Sequence, residues 1–219
     1  MFRGMFIEQL FVDPRYYFAV VIAVVVSICL HELAHGLAAV RRGDDTPIEQ
    51  GRITLNPLVH MGPVSIVIML LAGIAWGSMP IDRTRMRGRF AEAFVAFAGP
   101  LTNGLIAVVT LTAFGLWRRY DPRTPLELGD FAANGQLLLI AFGSTNVLLM
   151  LFNLLPVPPL DGSHILANFS KGYAKLMETL SLGGGSFAML AIVFLLAGRF
   201  ISPLAAWITW AYLDLVRGN

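Results

Sequence analysis

From Phe18 to Val40 the sequence reads FAVVIAVVVSICLHELAHGLAAV, an apolar run long enough to cross a bilayer as one helix, with His31, Glu32 and His35 inside it. A charged group at mid-bilayer costs about 2.5–3.5 kcal/mol on insertion scales. A chain that carries ionisable side chains at such depth must supply a partner that makes them tolerable. That requirement governs how the rest of the sequence can be read.

The remainder agrees with a membrane setting. Of 219 residues, 56% are hydrophobic and only 14% are charged, which suits a bundle of spanning helices rather than a soluble core. The net charge is +2 and the arginines sit in short flanking clusters, so there is no basic excess for nucleic acid. Cys29 is the only cysteine, and no internal disulfide can form. Glu8, Asp13 and Arg15 interrupt the N-terminal region, and no small-x-small cleavage site precedes His31. Residues 16–40 therefore read as a retained helix, not a secretory signal.

Apolar segments follow at 16–40, 63–79, 91–117, 136–155 and 186–215. The last contains GRFISP, where Arg199 and Pro203 predict a break into two shorter helices. No repeat or linker separates a second unit, so residues 1–219 read as one membrane-embedded domain. The expected fold is an all-α polytopic bundle of about four to six transmembrane helices in a lipid bilayer. The second segment has Arg41, Arg42 and Arg52 on one side and Arg83, Arg85, Arg87 and Arg89 on the other. Both flanks favour the cytoplasm, so this segment is expected to re-enter rather than cross. The placement puts the polar cluster towards the cytoplasm of a cell membrane and leaves Arg118, Arg119 and Arg123 outside.

HELAH places His31 and His35 at i and i+4, stacked on one helix face, where two imidazoles can grip one Zn²⁺ with Glu32 beside them as general base. A tetrahedral catalytic zinc takes three protein ligands and an open position. NLLPVPPLDGSH, residues 153–164, offers the third. Pro156, Pro158 and Pro159 forbid helix and predict an extended stretch, which survives at membrane depth only where protein or a water-filled cavity surrounds it. Asp161 follows directly. On its own it reads as a helix cap; beside HELAH it reads as the third ligand.

His164 is a further ligand, a substrate contact or a plain interfacial histidine. His60 reads as structural. AGPLTN, residues 98–103, brings small residues for close helix packing, and Asn103 needs a buried partner or meets substrate. GRITLNP contains a short alternating β-type run; Arg52, Ile53 and Thr54 could bind an extended substrate by strand addition, or belong to a hairpin at the membrane surface.

Taken together, these residues resemble the site-2 proteases, intramembrane zinc metallopeptidases. That family carries HExxH on one membrane helix, then G-P-x-x-N, then N-x-x-P with L-D-G. Here these are His31–His35, Gly99-Pro100-Leu-Thr-Asn103, and Asn153-Leu-Leu-Pro156 with Leu160-Asp161-Gly162, in the same order over residues 31–162. The resemblance implies one zinc on His31, His35 and Asp161, Glu32 as general base, and a transmembrane protein as substrate. It also implies that Asn153 contacts substrate or the developing oxyanion. Many relatives carry a PDZ or CBS domain, for which 219 residues leave no room, and Met79-Pro80 stands where compact relatives have Lys-Pro. A carrier or non-proteolytic metal-binding membrane protein is the alternative reading. It should show polar groups spread over several spans and symmetry between halves.

Overall fold

The computed structural model describes residues 5–121, 123, 129–181 and 185–218. Its first long helix, α1 (Pro14–Arg41), begins where Asp13 Oδ1 accepts the Tyr16 amide at 3.1 Å and Pro14 occupies the first turn, where its missing N–H is no loss. At about 1.5 Å per residue, its 28 residues outreach the ~30 Å hydrocarbon core. Ala19, Ala23, Ser27, His31 and His35 recur every fourth residue and form one buried stripe. Two of the five are methyl-sized and three are polar.

The expected re-entrant segment is a hairpin. Helix α2 (Gly62–Ala72) has 11 residues, about 16 Å, too short to cross. It ends at Gly73 in the left-handed region (φ +72°), a conformation glycine adopts without penalty. The chain then returns alongside the helix: Ser65 Oγ donates to the Trp76 carbonyl at 2.7 Å and accepts the Trp76 amide at 2.9 Å, and the Ser78 amide reaches the His60 carbonyl at 3.0 Å. Both ends of the segment therefore lie at one end of the bundle. Buried Asp44 ties the return arm to α1 by accepting the amides of Thr46 (3.0 Å) and Asp82 (2.8 Å).

Helices α3 (Ala91–Tyr120) and α4 (Asp130–Asn153) pack against α1 and against each other. Ala19 and Ala23 meet Ala141, and Ala38 and Ala39 meet Val95. Lipid tails are as apolar as leucine, so close van der Waals approach through small residues must hold such helices together. Among the described residues, α1, α3 and α4 are the helices long and apolar enough to cross a membrane.

After α4 the three prolines stop the helix, but the backbone turns where an extended stretch was expected. Leu155, Val157 and Leu160 donate their amides to carbonyls two or three residues back, at 3.2, 2.8 and 2.9 Å, which satisfies groups that an extended chain would leave bare. Helix α5 (Asp161–Phe169) starts there, and a Cβ on Gly162 would collide with the Leu154 carbonyl. Glycine thus lets the chain fold back and set Asp161 against the bundle. Helix α6 (Lys171–Ser181) follows. Helix α7 (Gly185–Arg217) then runs unbroken through Pro203 and packs on α3 and α4 through Ala205 and Leu213. The predicted break is absent because a proline forfeits one backbone hydrogen bond, at about 3 kcal/mol, whereas opening the helix in lipid would bare several polar groups.

The β-type run is also corrected: there is no strand among the described residues. The Arg52 amide donates to the Pro47 carbonyl at 2.8 Å, the Thr54 amide donates to the Arg52 carbonyl at 3.0 Å, and His60 Nε2 donates to the Thr54 carbonyl at 2.7 Å, so groups a ladder would use are taken locally. In a Cys29→Ala background, single cysteines replacing Gln50 and Arg89 should react with an impermeant maleimide from one face of sealed vesicles, and one replacing Tyr120 from the other. Labelling of Gln50 and Arg89 positions from opposite faces would make residues 62–80 a true span.

Candidate metal centre

One helical turn separates His31 from His35, and their Nε2 atoms face each other at 2.9 Å. Asp161, at the start of α5, completes the group: Oδ2 lies 3.2 Å from His31 Nε2 and Oδ1 lies 3.3 Å from His35 Nε2. Both histidines are buried. Their outward nitrogens are spent. His35 Nδ1 donates to the Val95 carbonyl at 2.8 Å, and His31 Nδ1 donates to Asn103 Oδ1 at 2.6 Å. A neutral imidazole has one N–H, so both Nε2 atoms carry lone pairs.

Three potential ligand atoms thus converge on one point, and the buried Asp161 Oδ2 has no hydrogen-bond partner. Without a cation this is electrostatically unfavourable. Two nitrogens and a carboxylate oxygen suit zinc with one coordination position left open, and the residues present fit that ion.

The approach of α3 depends on Gly99. A Cβ there would collide with His35 Nε2 and come within 2.5 Å of His31 Nε2 and Cε1. Gly77 on the hairpin's return arm does the same service for Glu32, whose Oε1 lies 2.6 Å from where a Cβ would stand. A cavity of about 400 Å³ opens over the group, lined by His31, Glu32, His35, Asp161 and Asn153 together with apolar Trp76 and Phe152. Asn153 is half-buried and donates to the Leu149 carbonyl of its own helix at 3.1 Å. His164 also lines the cavity, with Arg83 Nη2 2.9 Å from its Nδ1. Burial first, and Arg83 second, push its imidazole down to about 4, so it is neutral near pH 7.

His31, Glu32, His35, Asp161 and Asn153 are therefore brought together, as read from their motifs. Asn103 is not a substrate contact: it is fully enclosed, with its oxygen on His31 and its nitrogen donating to Asn146 Oδ1 at 2.8 Å. Arg52, Ile53 and Thr54 do not line the cavity. His60 is buried and structural, and Cys29 is buried and free. The sequence reading missed Ser27 and Asn146, a hydroxyl and an amide isolated in apolar runs, which is a detectable signal of a buried polar contact.

The description "Peptidase family M50" belongs to the family model that matches residues 125–197. A Bacillus subtilis protein named "Putative zinc metalloprotease YwhC" is 34% identical over 203 residues, covering 91% of this chain and 87% of that protein. The Mycolicibacterium smegmatis protein named "Putative zinc metalloprotease Rip2" is 33% identical over 163 residues, 69% of this chain and 58% of its own length. "Zinc metalloprotease MJ0392" of Methanocaldococcus jannaschii is 29% identical over 172 residues, 77% of this chain and 40% of its own. No solved structure matches the chain.

Gly99→Ala should weaken zinc binding about 10- to 100-fold, the range for disturbing groups that orient a ligand, while leaving helix content unchanged. Chelator competition with circular dichroism checks both; unchanged affinity would mean that the imidazoles are not packed on α3.

Proposed function

The chain belongs to peptidase family M50, the site-2 proteases, and from that premise we propose that it is a single-domain intramembrane zinc metalloprotease, residues 1–219, acting on membrane-spanning proteins. The observation that carries this reading is the meeting of His31, His35 and Asp161, with both Nδ1 atoms already held by Asn103 and Val95, inside an apolar bundle. A zinc ion held by these three supplies Lewis acidity towards water and towards the scissile carbonyl.

Each remaining step falls to a residue of this chain. Glu32, beside the ligand pair and under the Gly77 backbone, takes a proton from the attacking water and returns one to the leaving amine. Asn153, at the cavity wall, meets the substrate backbone or the oxygen on which negative charge develops. Trp76 and Phe152 make the wall apolar and limit water around the reacting bond. A substrate helix has its carbonyls hydrogen-bonded internally, so it must unwind locally to reach Glu32, which favours helix-weakening residues at the cleavage site. The hairpin ends and the arginine clusters support an active site opening to the cytoplasm of the cell's inner or plasma membrane.

Metal transport is the weaker reading. The intramembrane polar groups converge on one site instead of tracing a path, and the similar proteins are named proteases.

Glu32→Gln should retain one zinc per chain and lose cleavage of a transmembrane test peptide by about 10²- to 10⁴-fold. Asp161→Ala should lose both metal and cleavage. Full proteolysis by the Glu32→Gln protein would remove the general base.

A further inference from the structure

Beneath the metal group lies a chain of polar side chains that the catalytic scheme does not use. Asn146, on α4, is fully enclosed. Its Nδ2 donates to the Phe142 carbonyl at 2.8 Å and to Ser27 Oγ at 2.7 Å, and its Oδ1 accepts Asn103 Nδ2 at 2.8 Å. Asn103 Oδ1 in turn accepts His31 Nδ1 at 2.6 Å. The chain thus joins α4, α3 and α1.

Its direction is forced from one end. The Phe142 carbonyl can only accept, so the Asn146 atom facing it is the NH₂ group, and the oxygen faces Asn103. Asn103 must then present its own NH₂ to that oxygen, which leaves its oxygen facing His31. Only an Nδ1–H can donate to it. The proton is thereby held on Nδ1, and the Nε2 lone pair is aimed at His35 Nε2 and Asp161.

We propose that Asn146 is a positioning residue which, through Asn103, sets the tautomer of His31 so that its Nε2 is a ligand and not a donor. Were Asn146 unable to accept, Asn103 would be free to turn its amide over and present NH₂ to His31 Nδ1. The imidazole proton would then move to Nε2 and point at the other two ligands. His35 needs no such relay, because a main-chain carbonyl holds its Nδ1–H directly. Partners of this kind are worth about 10- to 100-fold in metal affinity. The inference rests on the metalloprotease reading but makes its own demand, since the tautomer can be read with no metal bound.

The test uses the full chain in detergent micelles, ¹⁵N-labelled at histidine and metal-free, with His31 assigned by its loss in His31→Ala. Wild type should show His31 protonated at Nδ1 and bare at Nε2. Asn146→Leu, similar in size but with no acceptor, should shift the proton to Nε2 and weaken zinc about 10- to 100-fold in chelator competition. Asn146→Asp should stay close to wild type in both readouts. When protonated in this enclosed place it still accepts from Asn103 and donates to Phe142 or Ser27. Ser27→Ala should also stay close, since the Phe142 carbonyl alone fixes the amide. A wild-type His31 protonated at Nε2 overturns the proposal even if the leucine variant does not fold. So does a folded leucine variant that keeps the Nδ1 proton and wild-type zinc affinity. Failure of wild type to bind zinc, with the Nδ1 proton in place, counts against the metalloprotease reading and not against the relay.

Discussion

Two imidazole nitrogens 2.9 Å apart, both within 3.3 Å of a carboxylate and set in an apolar interior, form a group that a bound cation stabilises. Burial of unpaired charge costs several kcal/mol per ion, and dipoles facing head to head add to that. A metal ion held there would take the place of the solvent that the bundle lacks. The three groups placed to hold it come from α1 and from the first residue of α5, so α1, α4 and the turns between α4 and α5 must hold fixed places relative to one another.

How they do so follows from small residues more than from large ones. Ala19 and Ala23 admit α4, Gly99 admits α3 onto the imidazoles, and Gly77 admits the return arm onto Glu32. Gly162 allows the chain to fold back after its prolines. At Gly99 and Gly77 the missing side chain lets backbone lie directly against His31, His35 and Glu32. The hairpin built on α2 gives Glu32 an enclosing wall without a further crossing, so Glu32 and the His31, His35 and Asp161 group sit in a cavity with both polar and apolar lining.

Much of this was legible in the residues. HELAH sets two imidazoles side by side with a carboxylate between them in sequence, because i and i+4 must share a helix face. The sequence singled out Asp161, which the structure sets beside both imidazoles, and arginines on both flanks marked the hairpin. What misled were signals judged one residue at a time. Pro203 looked like a break, yet lipid penalises an opened helix more than one lost bond. Residues 52–55 alternate like a strand, but His60 takes the Thr54 carbonyl and the Thr54 amide turns back to the Arg52 carbonyl, which removes groups a partner strand would need. Asn103 looked available to substrate because its partner lies 43 residues on, in another helix, and no local pattern joins Asn103 to Asn146. Long-range polar pairing within a membrane leaves an isolated amide in the sequence, but not the name of its partner.

X-ray absorption at the zinc edge of the purified, folded protein tests the central claim most directly. One zinc per chain with a first shell of nitrogen and oxygen at about 2.0–2.2 Å is the predicted result. A folded protein that holds no zinc, or a sulfur neighbour at about 2.3 Å that would bring Cys29 to the metal, would contradict the site as built from His31, His35 and Asp161.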